Sequence, residues 1–173
     1  MTDHFTEHLV KKVPTSQEKT KQLLMVLAAI VLTVGTAYMA LATGWLIILT
    51  LTMGVIYGAY YILSGLGIEY EYTFTNGELD VDKIMGKRKR TNLITVDASK
   101  FEAFGALTDD VEDKPEATLV LCSDNTGEGE YYADLITEEY GETRLIFTPS
   151  EKMVSYIEEA LPRTLRYRSQ HGI

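Results

Sequence analysis

The feature that most constrains this chain is a long stretch without charge. Between Lys21 and Glu69 the sequence contains no Asp, Glu, Lys, Arg or His. An α-helix rises ~1.5 Å per residue and the hydrocarbon core of a bilayer is about 30 Å thick, so one crossing takes about 20 residues. The uncharged residues 22–68 amount to about two crossings of that length. A soluble protein of ordinary composition does not require an uncharged stretch of this length. Any fold assigned to this chain must therefore account for residues 22–68 first.

Thr43-Gly44 lies near the middle of this stretch and divides it into residues 23–42 and 45–66. The pattern predicts a transmembrane helical hairpin with both ends of the chain on one side of the membrane. A soluble pair of core helices is the first alternative, but such helices usually carry a polar stripe, and only scattered Thr and Tyr hydroxyls occur here. A cleaved signal peptide is the second, because Ala40-Leu41-Ala42 resembles a cleavage site. The first run is too long for that, and a second run follows at once.

Basic residues near the ends of the spans predict the orientation. Cytoplasmic segments are enriched in Lys and Arg, whereas acidic residues count little. The connection between the two predicted spans carries no charge, and cations lie before the first span and after the second: Lys11, Lys12, Lys19, Lys21, Lys83, Lys87, Arg88, Lys89 and Arg90. We therefore expect a multi-pass protein of the cell membrane with both termini in the cytoplasm.

The two ends of the chain lack long apolar patterns. Residues 1–21 are polar and interrupted by Pro14, which predicts a flexible or membrane-surface tail. His4 and His8 have the i, i+4 spacing of a helical metal pair, but no acidic or cysteine partner is placed to complete a site. Residues 164–173 are expected to form a C-terminal tail, which is basic through Arg166 and Arg168.

After Glu69 the pattern changes from helical to alternating. Tyr70, Tyr72 and Phe74 alternate with polar residues, as in a half-buried strand. Asn76-Gly77 is the preferred pair of a type I′ hairpin turn. Further strands are predicted after it, giving about seven short strands over residues 69–75, 78–84, 88–96, 100–107, 117–123, 130–137 and 142–148.

An amphipathic helix is predicted after the last strand. Thr148-Pro149-Ser150-Glu151 has the pattern of a capping box, and Met153, Ile157 and Leu161 then share one face before Pro162 ends the helix. Seven antiparallel strands and one C-terminal helix match the pleckstrin-homology-like (PH-like) architecture, a partly open barrel with its helix at one end. We therefore predict an α+β chain in which the hairpin precedes a cytoplasmic PH-like domain at residues 69–163.

The match extends to particular residues. Three features carry a resemblance: the run YEYTFTNGELDVDKI directly after paired apolar helices, the basic turn that follows it at residues 86–90, and the later SEKM…LPR helix. In these features the chain resembles an uncharacterised family of small membrane proteins from Gram-positive bacteria. That family combines two transmembrane helices with a PH-like domain. The resemblance implies the fold and the membrane setting, and it transfers no catalytic residue.

Candidates for chemistry are few. The three histidines lie near the chain ends, and Cys122 falls in an apolar strand where a small buried side chain is the ordinary interpretation. A single cysteine excludes an intrachain disulfide. The acidic residues Asp109, Asp110, Glu112 and Asp113 lack the spacing of a calcium loop. We therefore expect no enzyme, no cofactor and no metal site. The net charge of −9 further argues against nucleic acid as a partner.

Two motifs remain as candidate sites. The consecutive cations Lys87, Arg88, Lys89 and Arg90 should meet anionic headgroups at the inner leaflet, or else protect a strand edge from pairing. Gly54 and Gly58 form a G-x-x-x-G that lets helix backbones approach. We prefer packing of these glycines within the hairpin, against small residues such as Ala28, Gly35 and Ala42, over dimerisation.

These motifs lead to two functional hypotheses. The first is a non-enzymatic, membrane-anchored PH-like module that docks to the lipid bilayer's headgroups or to a membrane protein partner. Such a partner could also add a strand to an open barrel edge or lie beside the C-terminal helix. The alternative is a structural subunit of a membrane complex, or a homo-oligomer, with the hairpin as contact surface.

Overall fold

A computed structural model describes residues 4–166 of the chain. Contacts between Cα atoms divide these residues into two compact units. The helical unit contains Pro14–Gly67 together with Met85–Arg88. The β unit contains the described residues up to Val13, then Ile68–Ile84, and then the described residues from Lys89 to Arg166.

The helical unit is a pair of helices, α1 (Ser16–Thr43) and α2 (Leu46–Ser64). A capping box begins α1, in which Thr15 accepts from the Glu18 backbone and Glu18 accepts from the Thr15 backbone. Gly44 ends α1 in the left-handed conformation, which glycine adopts without steric cost. Both helices are long and apolar enough to cross a membrane. The predicted division at Thr43-Gly44 is confirmed, although α1 begins several residues earlier than expected.

The surface of this unit is apolar. In the helices only Ala40 and Thr52 are buried, whereas Leu41 and Leu46 are 85% and 79% exposed. The hydroxyls of five threonines donate to carbonyls of their own helix, as where Thr52 donates to the Ile48 carbonyl at 3.0 Å; the others are Thr20, Thr36, Thr43 and Thr50. A helix pair in water has the opposite arrangement, with its apolar side chains inside.

The β unit contains two four-stranded sheets and a helix, α3 (Glu151–Ala160). The first sheet has the order β1-β2-β3-β4 and the second the order β5-β7-β8-β6. The strands are β1 (Phe5–Lys11), β2 (Ile68–Thr75), β3 (Glu78–Met85), β4 (Lys89–Asp97), β5 (Ala103–Ala106), β6 (Thr118–Leu121), β7 (Tyr131–Thr137) and β8 (Gly141–Phe147). Each of the seven predicted strands is present.

The eighth strand, β1, corrects the prediction for the N-terminus. Phe5–Lys11 pairs antiparallel with β2 along its whole length, from Phe5 opposite Thr75 to Lys11 opposite Glu69. Thr6 and Val10 are buried by this pairing, whereas Phe5 and Leu9 are exposed. The prediction of a tail over residues 1–21 is therefore wrong for β1, and it is also wrong for the residues that begin α1.

Two details of the predicted PH-like domain also differ from the structure. β6 pairs with β8 in parallel, so the second sheet is mixed. The cap of α3 is Ser150, whose hydroxyl accepts from the Met153 backbone, and not Thr148 as the capping-box pattern predicted. Pro162 still follows closely on the end of α3.

The core of the β unit is aromatic and aliphatic. The alternating aromatic side chains predicted for β2 are buried, and Leu79 and Val81 of β3 are buried beside them. Met153 and Ile157 of α3 belong to the same cluster. The largest fully buried side chains are Tyr72, Phe74, Phe147, Leu79, Leu145, Met153 and Ile157. The β unit has the predicted PH-like architecture, but the two apolar helices lie between β1 and β2 in the chain and not before the whole domain.

Candidate functional site

The basic turn begins with two residues in the left-handed conformation. Gly86 and Lys87 have φ of +56° and +57°, and the Arg88 amide donates to the Met85 carbonyl at 3.1 Å. Positive φ at both central residues is the requirement of a type I′ turn, which joins neighbouring strands with their natural twist. A turn between the strands predicted at residues 78–84 and 88–96 is confirmed, and its central residues are Gly86 and Lys87.

Gly86 also packs against the end of α2. Its amide donates to the Gly67 carbonyl at 2.7 Å. A Cβ atom on Gly86 would lie 2.6 Å from the Gly65 Cα and 2.7 Å from the Ser64 carbonyl oxygen. No side chain fits at such distances, so the backbone of the turn touches the backbone that ends the apolar helix.

Arg88 is held at the same helix end. Its guanidinium lies 4.4 Å from the centre of the Tyr61 ring, donates to the Tyr61 carbonyl at 3.3 Å, and donates to the Ser64 hydroxyl. The Tyr61 carbonyl is one of the last four in α2, which lack helical partners, and the partial negative charge of a helix C-terminus favours a cation there. Arg88 therefore fastens the turn to α2.

Arg90 is occupied in the β unit. It forms an ion pair with Glu71 on β2 and lies 3.6 Å from Asp82 on β3. Lys87 and Lys89 are exposed, and neither makes an ion pair within residues 4–166. The structure thus divides the predicted cationic run into two arginines with partners in the chain and two lysines whose ammonium groups face solvent. A role for any of the four in binding stays a prediction.

The G-x-x-x-G pair does not pack closely within the chain. Gly58 lines a groove between α1 and α2 that Ala28 also lines. A Cβ atom on Gly54 or on Gly58 would nevertheless meet nothing within 4 Å. Neither glycine makes the close intramolecular contact that we preferred, and packing against another chain stays a prediction.

The histidines near the N-terminus are placed by β1, not by a tail. The His4 amide donates to the Asn76 side chain at 3.2 Å. The centre of the His4 ring lies 4.7 Å from that of Tyr156 on α3, with the two ring planes tilted by 59°. His8 lies in β1, with its ring centre 6.2 Å from that of Tyr72. No group of three metal-ligating side chains occurs within the described part of the chain. His171 lies outside the described residues.

Cys122 lies in the core. It is fully buried, its thiol donates to the Ile146 carbonyl at 3.2 Å, and burial raises its pKa well above the ordinary range. The Tyr72 hydroxyl donates to the Cys122 carbonyl and accepts from the Thr148 amide at 3.3 Å. Burial also raises the pKa of Tyr72. The hydrogen bonds of the Tyr72 hydroxyl join the two sheets. The Tyr72 hydroxyl and the Cys122 thiol are both in their neutral forms at neutral pH.

A buried ion pair was not anticipated from the sequence. Asp134 and Arg144 face each other on β7 and β8, with two hydrogen bonds of 2.7 and 2.9 Å between guanidinium and carboxylate. Lys114 lies 3.0 Å from the same carboxylate, and Arg144 donates to the Glu112 carbonyl at 2.7 Å. The acidic loop, residues 108–116, is thereby fixed to the second sheet. Pairing of opposite charges on adjacent strands is the one signal that could have identified it.

Comparison with protein families agrees with this geometry. Residues 2–167 match the model of the bacterial PH-like domain family (DUF6106). The chain belongs to this family. The match covers both apolar helices and both sheets, and it confirms the predicted resemblance to a bacterial family with a PH-like domain. No curated protein and no solved structure matches the chain.

Proposed function

We propose that this member of the PH-like family is a non-enzymatic module of the cell membrane. In this proposal α1 and α2 cross the bilayer, both termini lie in the cytoplasm, and Lys87 and Lys89 bind anionic headgroups of the inner leaflet. The observation that carries the proposal is the contact of the basic turn with the end of α2.

The exposed apolar surface of the hairpin supports its insertion. Two helices whose side chains are mostly apolar and outward-facing would be poorly solvated in water, whereas a bilayer solvates them. All of their backbone groups except those at the ends are bonded within the helices, as a hydrocarbon environment requires.

The pairing of β1 with β2 supports an even number of crossings. The chain leaves the first sheet after Lys11 and returns to it at Ile68, and Lys11 is opposite Glu69 in the sheet. The Lys12 amide also donates to the Ile68 carbonyl at 3.0 Å. A segment that begins and ends at neighbouring positions must return to the side from which it started. This argument is independent of the count of basic residues, which favours the cytoplasmic side.

The turn at the end of α2 supports headgroup binding. A cation near an anionic membrane surface gains about 1 kcal/mol, so two free lysines supply about 2 kcal/mol, roughly a 30-fold change in the binding constant. Arg88 and Arg90 contribute less to such binding because their guanidinium groups already have partners in the chain.

The test is binding of short-chain phosphatidylglycerol to the full chain in a neutral detergent, measured by native mass spectrometry. Lys87→Glu with Lys89→Glu should weaken binding by more than about tenfold. Lys100→Glu with Lys152→Glu makes the same change in net charge elsewhere and should have little effect. Equal binding by the first variant and the parent chain would refute the proposal. Reporter fusions at Thr43-Gly44 and at the C-terminus test the orientation.

A second candidate function is a structural subunit of a membrane complex. The open space around Gly54 and Gly58 favours it, because both positions are accessible to a helix of another chain. Gly54→Leu should then reduce recovery of the complex in a pull-down from neutral detergent, whereas Leu51→Ile on the same helix should not.

A further inference from the structure

A cleft of about 560 Å³ lies between the two sheets of the β unit. Residues 92–97 of β4 form one wall, and residues 135–140, which include the end of β7, form the other. The residues that line this cleft include none from the basic turn and none from α1 or α2.

Each wall includes the edge of a strand, β4 on one side and the end of β7 on the other. β4 is the outermost strand of its sheet, so one row of its backbone groups has no neighbouring strand among the described residues. β5 is short and pairs with β7 only from Tyr131 to Asp134. The rest of β7 is therefore uncovered on the side that faces the cleft.

The backbone N–H and C=O groups of Ile136 point into the cleft. The Asp134 carbonyl accepts from the Glu102 amide at 2.8 Å, so the backbone groups of Asp134 face the β5 side. Alternate residues of a strand direct their N–H and C=O groups to the same side, so those of Ile136 face the same side beyond the end of β5. Its side chain is 60% exposed.

The cleft is acidic. Asp97, Glu138 and Glu139 supply three carboxylates, and Lys100 supplies one ammonium group. A second copy of this edge would bring like charges together, which is unfavourable. A basic segment would instead be attracted, and an extended backbone would satisfy the open edges.

We propose that an extended basic peptide segment of a partner protein binds between β4 and β7 and adds a strand to the open edges. Main-chain hydrogen bonds hold the segment. The carboxylates of Asp97, Glu138 and Glu139 select Lys or Arg at the positions of the segment that face them, and Ile136 contacts the apolar side chains of the segment.

The probe is a short fluorescent peptide of alternating Val and Lys, bound to the full chain in a neutral detergent without anionic lipid and measured by anisotropy. A peptide with Glu in place of Lys should not bind. The basic peptide with alternate amides methylated should bind at least about fivefold more weakly, because each lost backbone hydrogen bond is worth about that factor.

Two pairs of protein variants locate the site. Glu138→Lys with Glu139→Lys should weaken binding by more than about tenfold, and Asp109→Lys with Asp110→Lys, which changes the charge equally in the acidic loop, by less than about twofold. Ile136→Pro removes a cleft-facing N–H and should weaken binding about fivefold, whereas Ile136→Val should not. Hydrogen exchange of β7 and β8 verifies that each variant is folded.

Unchanged binding after methylation or after reversal of Glu138 and Glu139 would overturn the proposal. Self-association of the chain that depends on Glu138 and Glu139 would also overturn it, since a second copy would then occupy the cleft. Lys87 and Lys89 are intact in every variant and no anionic lipid is present, so failure here is distinguishable from failure of headgroup binding.

Discussion

Replacing Asp134 by Asn should destabilise the β unit strongly. Asp134 is 3% exposed and Arg144 8% exposed, and two direct hydrogen bonds join them. The substitution leaves the Arg144 charge buried without its carboxylate, and breaking a buried pair in this way costs about 3–5 kcal/mol. That is a large fraction of the ~5–15 kcal/mol that stabilises a typical domain.

The assay is hydrogen exchange of β7 and β8 peptides from the full chain in detergent at increasing urea concentration. It gives the free energy of unfolding for this unit alone. The exposed residue Glu128, which forms no ion pair within the described residues, provides a control, and Glu128→Gln should change stability by less than about 0.5 kcal/mol. Asp134→Leu with Arg144→Met removes both charges and should be less destabilising than Asp134→Asn.

The pH dependence gives a further check on the same pair. Burial alone would raise the pKa of Asp134, but its bonds to Arg144 and Lys114 outweigh burial and lower the pKa below the ordinary value of about 3.9. The stability due to the ionised carboxylate is therefore complete above about pH 4 and is lost as the pH falls through the folded-state pKa. The difference between the parent chain and Asp134→Asn should be constant from neutral pH down to about pH 4 and shrink below it. A difference under about 0.5 kcal/mol at neutral pH would refute the reasoning.

Three other predictions test the turn and the core. Gly86→Ala should cost more than Gly127→Ala, since both glycines have positive φ but only a Cβ on Gly86 meets backbone atoms; the melting temperatures of the two variants compare them. Tyr72→Phe should cost about 1–3 kcal/mol by removing the partner of two buried backbone groups, whereas Tyr140→Phe at the surface should cost little, as measured by urea unfolding. Cys122 should resist iodoacetamide at pH 8 in the folded chain and react once it unfolds, because burial both shields the thiol and raises its pKa.

The hairpin and the strands after it could be predicted because their signals are local. A run of apolar residues predicts a membrane-length helix by itself, and the alternation of Tyr70, Tyr72 and Phe74 followed by Asn76-Gly77 predicts a hairpin by itself. Each of these elements is present in the structure.

β1 could not be predicted because its signal is not local. Its buried residues include Thr6 and its exposed residues include Phe5 and Leu9, so the inward side is no more apolar than the outward side. Its partner, β2, follows only after both helices of the hairpin. Strand pairing over such a separation leaves no turn signal in the sequence. A soluble fragment that begins at Glu69 would lack β1 and would expose the edge of β2 that β1 covers.

The basic turn shows why a run of like charges does not define a site by itself. Four cations of equal charge follow Gly86 in the sequence, but their partners lie elsewhere in the chain, on α2 for Arg88 and on β2 and β3 for Arg90. The planar guanidinium suits these roles, since it can stack on the Tyr61 ring while donating several hydrogen bonds, whereas an ammonium group is compact and strongly hydrated. Arg88→Lys therefore removes a structural contact even though the charge is kept. The positions of Lys87 and Lys89 should accept Arg, because the proposed headgroup binding requires charge at an exposed position and not a fixed partner.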